Sequence, residues 1–343
     1  MKELETFFDE RLESVPLKTV FFGGGTPSTY PEELLEETIT LLQKRAGFAP
    51  DYEMTIEVNP GTVTPEKLHT WKRCGINRLS IGVQSLNDEL LKKLNRHQKA
   101  ADVYALIDAG TALFDNLSID LIIGLPGVSQ EEWKRLVTTV SAWPIQHVSM
   151  YFLTVHEDTQ LYFGVQRKSI ILPPDDEVVD LYRWTIEQFA KVGLEQYEIS
   201  NFGRKGRQSQ HNTVYWERKP YKGCGLGACS FDGTRRFQNE KNLLNYMNSA
   251  INNGTVVVFV ESLNDYQAWL ERLMLGLRQI KGVAVDSVLS YLESSRAELF
   301  LQKVQELETA NLIRCEQGNI ALTPVGLSVA NEIIVKLSCI DKQ

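Results

Sequence analysis

A short apolar strand followed by a helix with its own start and stop signals recurs through the first two-thirds of this chain. The strands expected from this pattern are Thr19–Phe22, Glu53–Val58, Arg78–Val83, Leu117–Ile122, His147–Leu153 and Gln196–Ser200. Helices fill the gaps. Thr64 can cap the helix after the second strand, with Pro65 in its first position and Gly75 beyond its end. Ser129, with Glu132 three residues on, reads as a capping box for a helix that buries Trp133, Leu136, Val137 and Val140. A third helix runs from about Asp175 to Val192. Such alternation means a parallel sheet with helical crossovers. The strands read as nearly continuous in Val, Ile, Leu and Phe, as in a sheet covered on both faces. An open doubly wound sheet and a full or partial β/α barrel both satisfy the pattern.

From about Asn264 the pattern changes. Helices are expected at Tyr266–Leu277, Val285–Glu293 and Arg296–Thr309. A small hairpin, Leu312–Glu316 and Ile320–Leu322, turns at Gln317-Gly318-Asn319, and a last helix starts at Pro324. That order suggests a winged-helix-like module. The stretch Gln238–Phe259 reads as a connector with one helix.

In β/α folds the chemistry sits at the C-terminal ends of the strands. Gly23-Gly24-Gly25-Thr26 follows the first strand and can offer backbone N–H groups to an anion. Glu57 stands near the end of the second strand, Gln84 after the third and Arg96 just beyond it on a helix end. Asp120 lies within the fourth strand and Tyr151 at the end of the fifth. Gln84 or Arg96 taken singly reads as a surface group, and a glycine-rich turn can be only a turn. A carboxylate within an apolar strand, such as Glu57 or Asp120, needs a partner. Polar groups at one end of successive strands suit a ligand with a carboxylate, an amine and ribose hydroxyls.

A net charge of −8 argues against a nucleic-acid partner. The predicted C-terminal helices, which carry Asp286, Glu293, Glu298, Glu306 and Glu308, point away from a DNA-binding regulator. No apolar run approaches the roughly 20 residues that span a bilayer, and the acidic, amphipathic start MKELETFFDERLE is unlike a signal peptide. Five scattered cysteines, with no CxxC pair, fit reduced thiols, so a cytoplasmic protein is expected. Cys224 and Cys229 share the run GCGLGACS, with no second ligand pair in view for zinc.

The segments GGGTPS, IEVNPGT, RLSIGVQS, LNRHQ, DLIIGLPG and HVSMYFL, in this order, resemble the coproporphyrinogen dehydrogenase (HemN/HemW) family of radical-SAM proteins. The heme-chaperone branch is the most similar. The resemblance continues through SNFGRKGRQSQHNTVYW and GCGLGACSFDGTRRFQN to the C-terminal module. It implies a partial parallel β/α barrel over residues 1–237, a connector at 238–263 and the winged-helix-like module at 264–343. It also implies S-adenosylmethionine and a [4Fe–4S] cluster as cofactors. Gly24, Gly25 and Thr26 would meet the methionine amine, and Glu57, Gln84, Arg96 and Asp120 its carboxylate and the nucleoside, with Tyr151 completing the site. His211, Asn212, Tyr215 and Trp216 match an HNxxYW motif linked to heme binding, and a neutral imidazole suits iron. The bland alternative is that His211 and Trp216 only order a loop.

Heme or a porphyrin and heme-acceptor proteins are the partners this resemblance implies. Peripheral membrane contact through the acceptor and a homodimer are further expectations. The family's CxxxCxxC loop and its first barrel strand have no counterpart here, because the sequence begins at about the helix after that loop. A late start and a cluster-less descendant both account for this. As written, the chain is not expected to cleave S-adenosylmethionine reductively. Cys229 replaces the His of the usual GAHS, so a polar residue is lost there, and His156 in LTVHEDT stands where the family more often has a nearby Glu. Besides heme delivery, the resemblance leaves open oxygen-independent decarboxylation of coproporphyrinogen propionates. A module that holds heme or a nucleoside without redox chemistry also remains open.

Overall fold

The computed structural model describes residues 1–9, 15–157, 159–252 and 255–340. The last four residues of the start MKELETFFDERLE, Asp158 of LTVHEDT and residues 253–254 of the expected connector lie outside the described residues. The chain opens with α1 (Lys2–Asp9) and continues through β1 (Leu17–Phe22), α2 (Glu32–Arg45), β2 (Phe48–Val58), α3 (Pro65–Arg73) and β3 (Arg78–Gln84). Next come α4 (Asp88–Lys93), α5 (Ala100–Leu113), β4 (Leu117–Ile123), α6 (Gln130–Ser141), β5 (His147–Phe152), α7 (Gln160–Gln166) and α8 (Asp175–Lys191). A short hairpin, β6 (Glu195–Glu198) and β7 (Asn201–Gly203), completes a seven-stranded sheet of order β1-β2-β3-β4-β5-β7-β6.

Neighbours from β1 to β5 pair in parallel, so this is an open β/α half-barrel, one of the architectures the alternation allowed and the one the resemblance implied. The sixth expected strand differs. Gln196–Ser200 is not one parallel strand but one arm of the hairpin and its turn, and β7 pairs antiparallel with β5. The reason is local. The Glu198 carboxylate accepts the Ser200 backbone N–H at 2.8 Å and the Asn201 side-chain amide, which closes the turn after Glu198.

The helix signals act as read. The Thr64 hydroxyl accepts the Lys67 N–H to cap α3, and Ser129 does the same for the Glu132 N–H at the head of α6. The box at Ser129 is half of what was expected, because the Glu132 carboxylate is engaged by the Asn87 side-chain amide at 2.7 Å.

The reading of the strands as apolar on both faces is overturned. Met54, Ile56, Val58, Leu79, Ile81, Val83, Ile119, Leu121, Ile123, Val148 and Met150 form one face, at most 3% exposed. They pack against Leu68, Trp71, Val103, Ile107, Trp133 and Val140 of the helices. The alternate positions are polar: Glu53, Thr55 and Glu57; Arg78, Ser80 and Gly82; Ser118 and Asp120; His147, Ser149 and Tyr151. The inner face of this half-barrel is therefore mostly polar, with Phe21 and Ile122 as apolar members.

Its lower layer is a network around Arg78, whose Nε alone of its nitrogens makes no hydrogen bond among the described residues. Arg78, 2% exposed, donates to His147 Nδ1 at 3.2 Å and Thr55 Oγ1 at 3.5 Å, with its Nε 4.0 Å from the Glu53 carboxylate. A guanidinium can only donate, so His147 Nδ1 accepts and the ring proton sits on Nε2, 2.8 Å from the Tyr197 hydroxyl. Ser118 Oγ also reaches His147 Nδ1, at 2.7 Å, and Ser209 Oγ donates to Glu53. Burial, followed by the charge of Arg78, holds the imidazole well below its ordinary pKa and so neutral.

The C-terminal segment from Gln210 packs with Met1–Pro16 and Lys44–Gly47 as a second compact unit, so contacts divide the chain near residue 210. It contains α9 (Gln210–Trp216), β8 (Cys229–Phe231), β9 (Arg235–Asn239), α10 (Leu243–Asn252) and β10 (Val257–Ser262), the strands forming a sheet of order β10-β9-β8. The expected connector thus holds its one helix, α10, together with β10. Then follow α11 (Asp265–Leu277), β11 (Val283–Ala284), α12 (Val285–Leu289), α13 (Ser294–Thr309), β12 (Ile313–Glu316), β13 (Asn319–Leu322), α14 (Pro324–Leu327) and α15 (Ala330–Ser338). Helix, short strand, two helices and a hairpin, with sheet order β11-β13-β12, is a winged-helix-like succession. Trp269, Leu273, Phe300, Leu307, Ile320 and Leu337 form its core. Among the described residues no helix is long and apolar enough to cross a membrane.

His147 gives stability a defined pH dependence. Its folded pKa lies below the ordinary value of about 6.5, so the unfolded chain binds the extra proton as pH falls. Stability is fully present above about pH 6.5 and declines below it. Urea unfolding at pH 7.5 and 5.5 should show this loss, and a smaller one in His147→Gln. Equal losses in both proteins would remove His147 from the acid limb.

Candidate functional site

The upper layer of the inner face is where β1–β4 end. After β1 the backbone of Gly24 and Gly25 takes positive φ, 77° and 67°, and the Gly24 N–H donates to Glu57 at 3.1 Å. Burial raises the Glu57 pKa and the Gly24 N–H offsets part of that rise. Thr26 opens the 3₁₀ turn Pro27–Thr29 that follows. This turn is tied to the loop after β2. Ser28 Oγ lies 2.6 Å from Thr62 Oγ1 and accepts the Asn59 N–H, while Lys67 Nζ donates to the carbonyls of Ser28 and Thr62. Ser28, Asn59, Thr62 and Lys67 thus hold the glycine loop in place, a role their polar, loop-like sequence did not signal.

Gly82 makes room at the centre. A Cβ there would sit 3.4 Å from Gln84 Nε2 and 3.7 Å from Arg96 Nη1, so both side chains lean over a position with no side chain of its own. Gln84 is not a surface amide. It is 8% exposed, at φ 61°, and its Oε1 is buried with no donor among the described residues. Arg96 lies in the turn after α4 rather than on a helix end. Gln98 fixes that turn by donating to the carbonyls of Gly82 and Val83 at 2.8 and 3.0 Å. Among the described residues no carboxylate pairs with the Arg96 guanidinium.

Asp120 pairs in register with Gly82 and with Ser149. Ser80 Oγ lies 3.3 Å from both of its carboxylate oxygens. Removal from water pushes the Asp120 pKa up to about 6, against hydrogen bonds from Ser149 and Ser80 and the charge of Arg78, which lower it. Tyr151, 46% exposed, stands at the rim in register with Ile122. A cleft of about 390 Å³ lies apart from this surface, between the ends of β3 and β4 and helices α5 and α6, walled by Gln84, Asn87, Tyr104, Trp133, Leu136 and Thr139, and it takes in none of Glu57, Arg96, Asp120 or Tyr151.

Acids, a cation and an unsatisfied amide oxygen therefore meet on one polar surface. Such a set can hold a zwitterion and hydroxyls: carboxylates for an ammonium, Arg96 for a carboxylate, Gln84 for a donor. The residues present fit S-adenosylmethionine in this sense. They do not fit a [4Fe–4S] cluster, since the five cysteines are free and among the described residues no three metal-ligating side chains come together.

The HNxxYW residues lie in the other unit, on helix α9 rather than in a loop. His211 Nε2 is 2.9 Å from the Tyr215 hydroxyl, and their rings meet edge to face at 5.1 Å. Tyr215 in turn meets Tyr221 at 4.7 Å. Asn212 and Trp216 are half-buried, and the Trp216 carbonyl accepts from Gln279 at 3.1 Å.

Residues 2–140 match the radical SAM superfamily and residues 263–329 the HemN C-terminal domain. The chain is similar to the heme chaperone HemW of Synechocystis sp., 37% identical over 288 residues, 83% of this chain and 70% of that one. The heme chaperone HemW of Bacillus subtilis is 32% identical over 92% of this chain and 84% of its own length. Among solved structures, the coproporphyrinogen III oxidase HemN of Escherichia coli superposes with a TM-score of 0.81 at 22% identity, over 98% of this chain and 82% of that one. It shares the fold.

Asp120 is an ionised group held where ionisation is disfavoured. Its folded pKa, about 6, exceeds the ordinary 3.8, so the folded chain binds the extra proton between these values. The stability this contributes is present below about pH 3.8 and lost as pH rises through 6. Asp120→Asn should therefore unfold at higher urea than wild type at pH 7, with the gain shrinking toward pH 4. A variant no more stable at pH 7 would contradict the strained carboxylate.

Proposed function

The chain belongs to the HemW family of radical SAM proteins, and we propose that it binds heme and delivers it to acceptor proteins, with S-adenosylmethionine held on the inner face of the sheet. The observation that carries the heme reading is the HNxxYW helix. It places an imidazole against an aromatic wall, the combination of an iron ligand and a flat apolar surface that a metalloporphyrin requires. Relatives bearing the name heme chaperone cover this same region and are 31–37% identical.

Gly24, Gly25 and Thr26 would frame the amino-acid end of S-adenosylmethionine, with Glu57 accepting from its ammonium. Arg96 would face its carboxylate, and the buried Gln84 Oε1 would accept a donor that no protein group supplies. Asp120 suits ribose hydroxyls, which donate, and Tyr151 closes the rim. Since the cysteines do not assemble, no reductive step is assigned to these residues. In this reading the protein works in the cytoplasm, and any membrane contact comes through the acceptor.

Two measurements test the reading. Glu57→Ala and Asp120→Ala should each weaken S-adenosylmethionine binding by about tenfold or more, the scale of a lost charged hydrogen bond, with the fold retained. Calorimetric affinities equal to wild type would remove these residues from the site. His211→Ala should change the Soret band of the heme complex, and an identical spectrum would refute ligation by His211.

A further inference from the structure

Three kinds of side chain that ligate heme iron, imidazole, phenol and thiol, cluster in the C-terminal unit, and the HNxxYW motif accounts for only part of them. Helix α9 contributes His211 and Tyr215, joined by the 2.9 Å contact described above. The segment before β8 contributes Tyr221, which packs on Tyr215 and bridges to Phe231, their backbones exchanging hydrogen bonds at 2.8 and 2.9 Å. Cys229 opens β8 two residues before Phe231, so its side chain emerges on the same face. That face is the one on which Tyr221 meets Phe231.

The surroundings of this sulfur are specific. Cys229 is exposed and free of any disulfide. In register with it on β9, Gln238 donates its side-chain amide to Sγ at 3.5 Å. An N–H group aimed at sulfur is the outer support that a metal-bound thiolate takes. The neighbouring strand comes in close: a Cβ on Gly223 would lie 2.1 Å from the Cys229 carbonyl oxygen, so only glycine fits. Cys229 is thereby held rigidly while its sulfur faces outward, and Tyr215 is itself 39% exposed.

We propose that Cys229 is a thiolate ligand to the iron of heme bound at the His211–Tyr215–Tyr221 surface, with Gln238 as the hydrogen-bond donor to its sulfur. This rests on the heme reading above. The chemistry is coordination alone: the thiol releases one proton to solvent, the sulfur lone pair enters the iron coordination sphere, and no electrons are transferred.

The test uses the full chain, hemin as the probe, and resonance Raman and absorption spectra. The wild-type complex should show a sulfur-isotope-sensitive iron–sulfur stretch. Cys229→Ala should lose that stretch while still binding hemin, and Cys224→Ala should keep it. Gln238→Ala should shift its frequency, which a cysteine serving only to pack β8 would not. A hemin-bound wild type without the stretch, or a stretch that survives in Cys229→Ala, would overturn the ligand assignment and leave the heme reading standing. Failure of the wild type to bind hemin would overturn both.

Discussion

A guanidinium sealed inside a β-sheet dictates much of what surrounds it. Arg78, 2% exposed, cannot shed its charge, and an unpaired buried charge costs several kcal/mol, on the order of 3–5 when one partner is removed. Glu53 and Thr55 on β2 and His147 on β5, with β4 between it and β3, must therefore stand in fixed register with Arg78, and His147 must stay neutral to accept. Those demands lock β2, β3 and β5 to one another and make a polar inner face tolerable. Ser118, Tyr197 and Ser209 continue the same accounting, each satisfying a group that burial would otherwise leave bare.

The candidate site is the unfinished upper edge of that layer. Below, most donors and acceptors meet within the protein, although Arg78 Nε, 4.0 Å from Glu53, makes no hydrogen bond among the described residues. Above, among the described residues, Gln84 Oε1 has no donor, no carboxylate pairs with Arg96, and Asp120 is ionised against its burial. A ligand would supply what these upper groups lack. Gly82 is the hinge between the two states. By omitting a side chain it gives Gln84 and Arg96 the space to converge. The proposed heme surface is built differently, from the edge-to-face rings of His211 and Tyr215 on α9 and Tyr221 beyond it.

Much of the site could be seen in the chain. Glu57 and Asp120 stood out as carboxylates in apolar strands, and the capping signals at Thr64 and Ser129 located their helices. The strand alternation was also there to be read, in R-L-S-I-G-V-Q and H-V-S-M-Y, but small polar residues are easily absorbed into an apolar run. Ser28, Asn59, Thr62, Lys67 and Gln98 were invisible because their partners lie 16 to 39 residues away or on backbone carbonyls. The β6–β7 hairpin was missed because four residues of strand and a tight turn carry the same composition as one longer strand.

Sequence alone determined the alternation of β1 to β5 with their helices and the end of the sheet that bears polar groups. These are consequences of local periodicity, which acts within a few residues. Only tertiary structure decided which polar groups are satisfied. Register between strands assigned Arg78 to His147 and Ser80 to Asp120, and left Gln84 without a donor. It also paired Tyr221 with Phe231 of β8, two residues from Cys229. Hydrogen bonding is short-ranged in space, not along the chain, so the difference between a structural polar residue and a ligand-seeking one appears only once the strands are side by side.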